Sequence, residues 1–128
     1  MPIIEDDVKN AVANFLEGEG YVGVDKKLGT RRGYDVEGVH PSTKRRLVIE
    51  CKGEAQNGSQ HKRSWENVAG AMLTSLREME NSELDHDVGM AFPDTPEYQG
   101  RLEVLEDFCR RSKLFVFWVC SNGKVRTW

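Results

Sequence analysis

Apolar residues recur with two different spacings along this 128-residue chain, and the spacings divide it into helices and strands. Ile4, Val8, Ala11, Val12, Phe15 and Leu16 fall on one helical face, which predicts an amphipathic helix over residues 3–17, stopped by Gly18 and Gly20. A short strand over 21–24 follows, then a basic, glycine-containing loop. Residues 34–40 alternate as a strand, 40–44 form a turn, and 45–52 form an apolar strand. These last two strands read as a hairpin. After a polar loop at 53–59, a long helix is predicted over 60–80, with Trp65, Val68, Ala69, Met72, Leu73, Leu76 and Met79 as its apolar stripe. Residues 88–92 make a buried-type strand. Thr95, Pro96 and Glu97 carry the cap, first-turn and dipole preferences of a helix start, and that helix is predicted to run to about Arg111. Residues 114–120 are the most hydrophobic strand. A hairpin turn at 121–124 leads to an edge strand at 125–128. The order αβββαβαββ predicts an α/β fold, a mixed central sheet flanked by helices.

Composition adds bounds. The length suits a single domain spanning residues 1–128, and 38% hydrophobic with 30% charged residues is ordinary for a globular chain. No apolar run approaches the roughly 20 residues needed to span a bilayer. The acidic start lacks a signal-peptide charge pattern, so cytoplasmic residence and no membrane partner are the default expectations. Cys51, Cys109 and Cys120 fit no zinc spacing and read as small buried hydrophobes. Charge is unevenly placed: residues 26–63 carry ten Lys or Arg against four Asp or Glu, a local +6 in a chain of net −3. A basic zone of this kind suits a polyanion such as DNA. Within it, Lys26, Lys27, Arg31, Arg32, Lys62 and Arg63 are the candidate DNA contacts.

That zone encloses the candidate chemistry. Gly33-Tyr34-Asp35-Val36-Glu37-Gly38 is followed by Leu47-Val48-Ile49-Glu50-Cys51-Lys52-Gly53. Strand alternation points Glu50 and Lys52 to one face and Ile49 and Cys51 to the other. Charges at the end of an apolar strand are costly unless paired, metal-bound or open to a cleft. Phosphodiester hydrolysis needs a hard divalent cation with oxygen ligands, which Asp35, Glu50 and the main-chain carbonyl of Cys51 can supply. Lys52 can assist the attacking water or stabilise the phosphoryl charge.

The two segments resemble the PD-(D/E)xK nuclease signature, and the αβββαβ order over about residues 3–92 is similar to that superfamily's restriction-endonuclease-like core. The C-terminal helix and β-hairpin resemble decorations on many members. The pattern is similar to Holliday-junction resolvases and Mrr-like endonucleases. The resemblance implies a metal-dependent DNA endonuclease in which Asp35 and Glu50 bind Mg²⁺ or Mn²⁺ and Lys52 is catalytic. Tyr34 stands where the motif name has proline. Many resolvase-like members carry a first-helix Glu; the matching position here is Lys9, with Glu5 one turn earlier on the same face. Glu5 is therefore a candidate site residue. So is Gln60, at the start of the helix after the lysine strand.

Other motifs point nowhere specific. His40, His61 and His86 are scattered, no phosphate-cradling Gly-x-x-x-x-Gly-Lys appears, and Trp65 and Trp118 read as core. His61, beside Gln60, is a weaker candidate phosphate contact. Cutting both strands of a duplex takes two sites, so a homodimer is expected, with the apolar edge of Phe115, Phe117 and Trp128 as its candidate interface. A larger repair or restriction assembly is a further expectation for so short a chain. The competing reading is a nuclease-fold subunit that binds DNA or a partner without cutting.

Overall fold

A computed structural model describes residues 2–30, 32–81 and 86–128. Helix α1 (Glu5–Gly18) is followed by strands β1 (Val22–Lys26), β2 (Val36–Val39) and β3 (Arg46–Cys51). Helix α2 (Gln60–Asn81), strand β4 (His86–Pro93), helix α3 (Pro96–Leu102), a 3₁₀ turn (Glu103–Leu105) and helix α4 (Glu106–Ser112) come next. Strands β5 (Leu114–Val119) and β6 (Val125–Thr127) close the sequence of elements. The expected order is observed, with the last expected helix in two pieces. Gly100, a weak helix former, precedes the break. Tyr98 and Leu102 from the first piece and Cys109 from the second still reach one core.

The strands form one six-stranded sheet in chain order. β1, β2 and β3 are antiparallel neighbours, β3–β4 and β4–β5 are parallel, and β5–β6 is antiparallel. Parallel neighbours need crossovers. Helix α2 makes the first and α3–α4 the second. Gly23, at φ 63°, sits where the β1–β2 register shifts between Val22 and Asp25.

Both faces of the sheet are covered, which explains the nearly continuous apolar runs of β3, β4 and β5. On one face Val8, Val12 and Leu16 of α1 pack on Val36, Leu47, Ile49, Cys51 and Phe117. On the other, Val68 and Ala71 of α2 join Tyr98, Leu102 and Cys109 over Val48, Met90, Phe92, Val116 and Trp118. Thr95 caps α3, its hydroxyl accepting from the Tyr98 N–H, with Pro96 in the first turn. Among the described residues no helix is long and apolar enough to cross a membrane.

Three expectations need correction. The inward positions of α2 are Ser64, Val68, Ala71 and Ser75, whereas Trp65 is 63% exposed and Leu73 60% exposed. Small inward residues let the helix lie close to the sheet; Met72 and Met79 pack against its edge, and Trp65, Leu73 and Leu76 face out. Phe117 is buried against α1, edge-to-face with Phe15 at 6.1 Å, and Trp128 packs on Trp118. Only Phe115 of the expected interface edge is exposed, because α1 covers Phe117 on one face and Trp128 packs into the core of the other. Cys120 is half-buried, its Sγ 3.6 Å from Asp94 Oδ2, while Cys51 and Cys109 are buried as expected.

Candidate active site

The β2–β3 register pairs Val36 with Ile49, so Asp35 and Glu50 stand one step further along the two strands. Asp35 is tied to the end of β3: its Oδ2 accepts the Cys51 N–H at 2.8 Å. Ile49 and Cys51 sink into the core beneath α1, and Glu50 and Lys52 project to the opposite face. Lys52 Nζ lies 3.4 Å from Glu50 Oε2. The hairpin thus gathers Asp35, Glu50 and Lys52.

Burial of Glu50, then hydrogen bonding and charge from Asp35, raise its pKa to about 7, against a partial offset from Lys52. Two carboxyl groups this close share a proton unless a cation separates their charges. Burial also pushes the Cys51 thiol well above the usual thiol range, so it offers no thiolate.

Lys9 enters this cluster from α1 and is only 2% exposed. Its Nζ donates to the Lys27 carbonyl at 2.6 Å and lies 3.1 Å from Glu5 Oε2 and 3.7 Å from Asp35 Oδ1. Burial disfavours its charge, but Glu5, Asp35 and Asp6 together hold its pKa above the usual lysine value. Glu5 therefore reaches the acid pair through Lys9. The readable signal was a lysine in line with Val12 and Leu16, three and seven residues on, on the inward face.

Gly53 fixes how α1 meets β3. A Cβ there would lie 2.2 Å from the Glu5 backbone nitrogen, so only glycine lets the helix start this near the lysine strand. The Gly53 carbonyl accepts from the Tyr98 hydroxyl at 2.5 Å and from Asn67 Nδ2 at 3.0 Å. Beside it opens a polar hollow of about 300 Å³ whose walls include Glu5, Glu54, Arg63 and Asn67. On the α2 side of Glu50 a cavity of about 30 Å³, water-sized, is lined by Tyr34, Ser75 and Glu78 among others. Ser75 Oγ is buried there with no hydrogen-bond partner among the described residues. Tyr34 donates its hydroxyl proton to Glu78 Oε1 at 2.7 Å.

Other candidates are placed elsewhere or are occupied. Gln60 spends both ends of its amide on Ala55, accepting from its N–H at 2.8 Å and donating to its carbonyl at 2.7 Å. It clamps the loop after β3. His61 meets the Arg101 guanidinium at 3.1 Å. Lys27 pairs with Asp25, Lys26 is half-buried at the end of β1, and Arg32, Lys62 and Arg63 are exposed. Arg31 lies outside the described residues.

Among the described residues no three His, Cys, Asp or Glu side chains converge as a metal cluster. A hard cation such as Mg²⁺ takes one or two carboxylates and fills its remaining positions with waters or phosphate oxygens. The Asp35–Glu50 pair meets that requirement. No family model, curated protein or solved structure matches the chain.

Proposed function

We propose that the chain is a metal-dependent deoxyribonuclease of the PD-(D/E)xK type. The observation that carries this reading is the meeting of Asp35, Glu50 and Lys52 at the β2–β3 end, with a Glu50 pKa near 7. Burial of Glu50 and its closeness to Asp35 outweigh the offset from Lys52, so a divalent cation gains from both acids. Asp35 and Glu50 are the residues that hold Mg²⁺ or Mn²⁺, and the Cys51 main chain faces Asp35. The bound cation supplies Lewis-acid neutralisation of the phosphate. Lys52, half-buried beside Glu50, orients the attacking water and balances charge developing on the phosphoryl oxygens. Glu5, through Lys9, helps to position Asp35. Arg32, Arg63, Lys26 and Lys27 lie in the basic segment and offer charge to the DNA backbone. The mixed sheet with α1 on one face and α2 on the other is compatible with a restriction-endonuclease-like core.

A cleavage panel of linear duplex, four-way junction, flap and single strand, each with Mg²⁺, Mn²⁺ or EDTA, tests the reading. Asp35→Ala, Glu50→Gln and Lys52→Ala are each expected to slow cleavage by roughly 10²–10⁴-fold with the circular dichroism of the fold intact. Full activity in any of the three sinks the assignment.

One observation favours the non-cleaving reading: the Lys9 ammonium already stands 3.7 Å from Asp35, where it offsets charge that a cation would otherwise neutralise. Under that reading Mn²⁺ titration gives no heat of binding, and DNA is bound equally well in EDTA.

A further inference from the structure

The outer face of α2 is left largely uncovered by the fold, although the Arg101 guanidinium lies 5.2 Å from the centre of the Trp65 ring. Trp65, Ala69, Leu73 and Leu76 follow spacings of four, four and three, which set them on one side of the helix. Trp65 is 63% exposed, Leu73 60% and Leu76 39%. Single exposed apolar residues are ordinary, but a contiguous run of them marks a contact surface. The opposite side of the same helix, at Ser64, Val68, Ala71 and Ser75, is already spent on the sheet.

We propose that this face is where two copies of the chain associate, α2 packing antiparallel on the second copy's α2 across a two-fold axis. The charge pattern selects that occupant. Lys62 stands seven residues before Ala69 and Glu80 seven after Leu73, so both lie in line with the stripe at opposite ends. Both are exposed. An axis passing beside Ala71, midway between Ala69 and Leu73, sets Lys62 of each copy against Glu80 of the other. The contact is isologous, as a two-fold dimer requires. Ala69 and Leu73 interdigitate at the centre, where the small alanine lets the helices approach to the usual 8–10 Å. Lys62, Glu66, Arg77 and Glu80, all exposed, leave this side of the helix mixed in sign, which suits a second copy better than a polyanion. The inference does not depend on whether the chain cuts DNA.

One helix per copy buries less than the roughly 1,200 Å² of a standard interface, so association belongs in the micromolar range. Sedimentation velocity of the full chain from about 1 to about 300 micromolar tests it. The native chain should pass from monomer to dimer, and Leu73→Glu should stay monomeric. Lys62→Glu and Glu80→Lys should each weaken the dimer by roughly two- to tenfold. The Lys62→Glu, Glu80→Lys double variant should recover it, as should an equimolar mixture of the two single variants. All these positions are on the exposed face, so circular dichroism should be unchanged. A native chain that stays monomeric throughout overturns the proposal. So does a double variant or a mixture no better than the singles. So does a Trp65→Ala variant that loses DNA affinity while the native chain remains monomeric, since the face then serves nucleic acid.

Discussion

Glu50 carries the sharpest consequence at the scale of single residues. Its pKa is pushed up to about 7 in the fold, from an ordinary glutamate value of 4.5. An acid raised in this way holds its proton more tightly folded than unfolded. Its contribution to stability is complete below about pH 4.5, declines as the pH rises, and is gone above about pH 7. Glutamine at this position keeps the shape and cannot ionise. Glu50→Gln should therefore be more stable than the native chain at pH 8 without metal, by about 1–3 kcal/mol, or a melting shift of several degrees. The difference should shrink toward zero near pH 4. Thermal denaturation in EDTA at the two pH values measures it; an equal or lower melting temperature for the variant at pH 8 would show that the acid pair is not strained. The same substitution should slow cleavage by roughly 10²–10⁴-fold, so stability and activity move in opposite directions at one residue.

At the scale of elements, the junction of α1 with β3 decides whether the site forms. Gly53→Ala places a methyl carbon against the Glu5 backbone, not against a side chain that could turn away. The start of α1 must then move, at a cost of about 1–3 kcal/mol or more, and Glu5 and Lys9 move with it. Urea denaturation together with hydrogen exchange over residues 3–9 should show lower stability and faster exchange there. Unchanged exchange would mean that the helix does not rest on Gly53. Glycine in the sequence hinted at a loop, not at this close approach, because the partner backbone is nearly fifty residues away. The hairpin and its three charged groups were legible for the opposite reason: Asp35, Glu50 and Lys52 lie close in sequence, and period-two alternation fixes their faces. The face of α2 was misread because hydrophobicity marks the largest apolar residues, while packing against β3 and β4 selected Ser64, Ala71 and Ser75 for their size. Lys9 was read only as a substitution for an acid. Its role depends on contact with Asp35 and the Lys27 carbonyl, which no local pattern encodes.

Over the whole molecule, a chain of net −3 can hold DNA only if its charge is segregated, and the +6 of residues 26–63 is the relevant quantity. The basic residues do not contribute equally. Lys27 is already paired with Asp25, and Lys62 lies on the outer face of α2. Arg32 and Arg63 are exposed, and Arg63 also lines the polar hollow beside Gly53. Each phosphate contact releases counterions, so log K falls with log salt by about 0.9 per contact on duplex DNA. Arg32→Ala and Arg63→Ala should each flatten that slope by about 0.9. Lys27→Ala should change it less, since its ammonium is shared with a carboxylate. Glu97→Ala, in the acidic remainder of the chain, should leave the slope unaltered. Fluorescence anisotropy of a labelled duplex in EDTA across a salt series reads the native slope and the four variant slopes without cleavage. Equal slopes for the native chain, Arg32→Ala and Arg63→Ala would move the DNA path off this segment while leaving the chemistry of Asp35, Glu50 and Lys52 where the hairpin puts it.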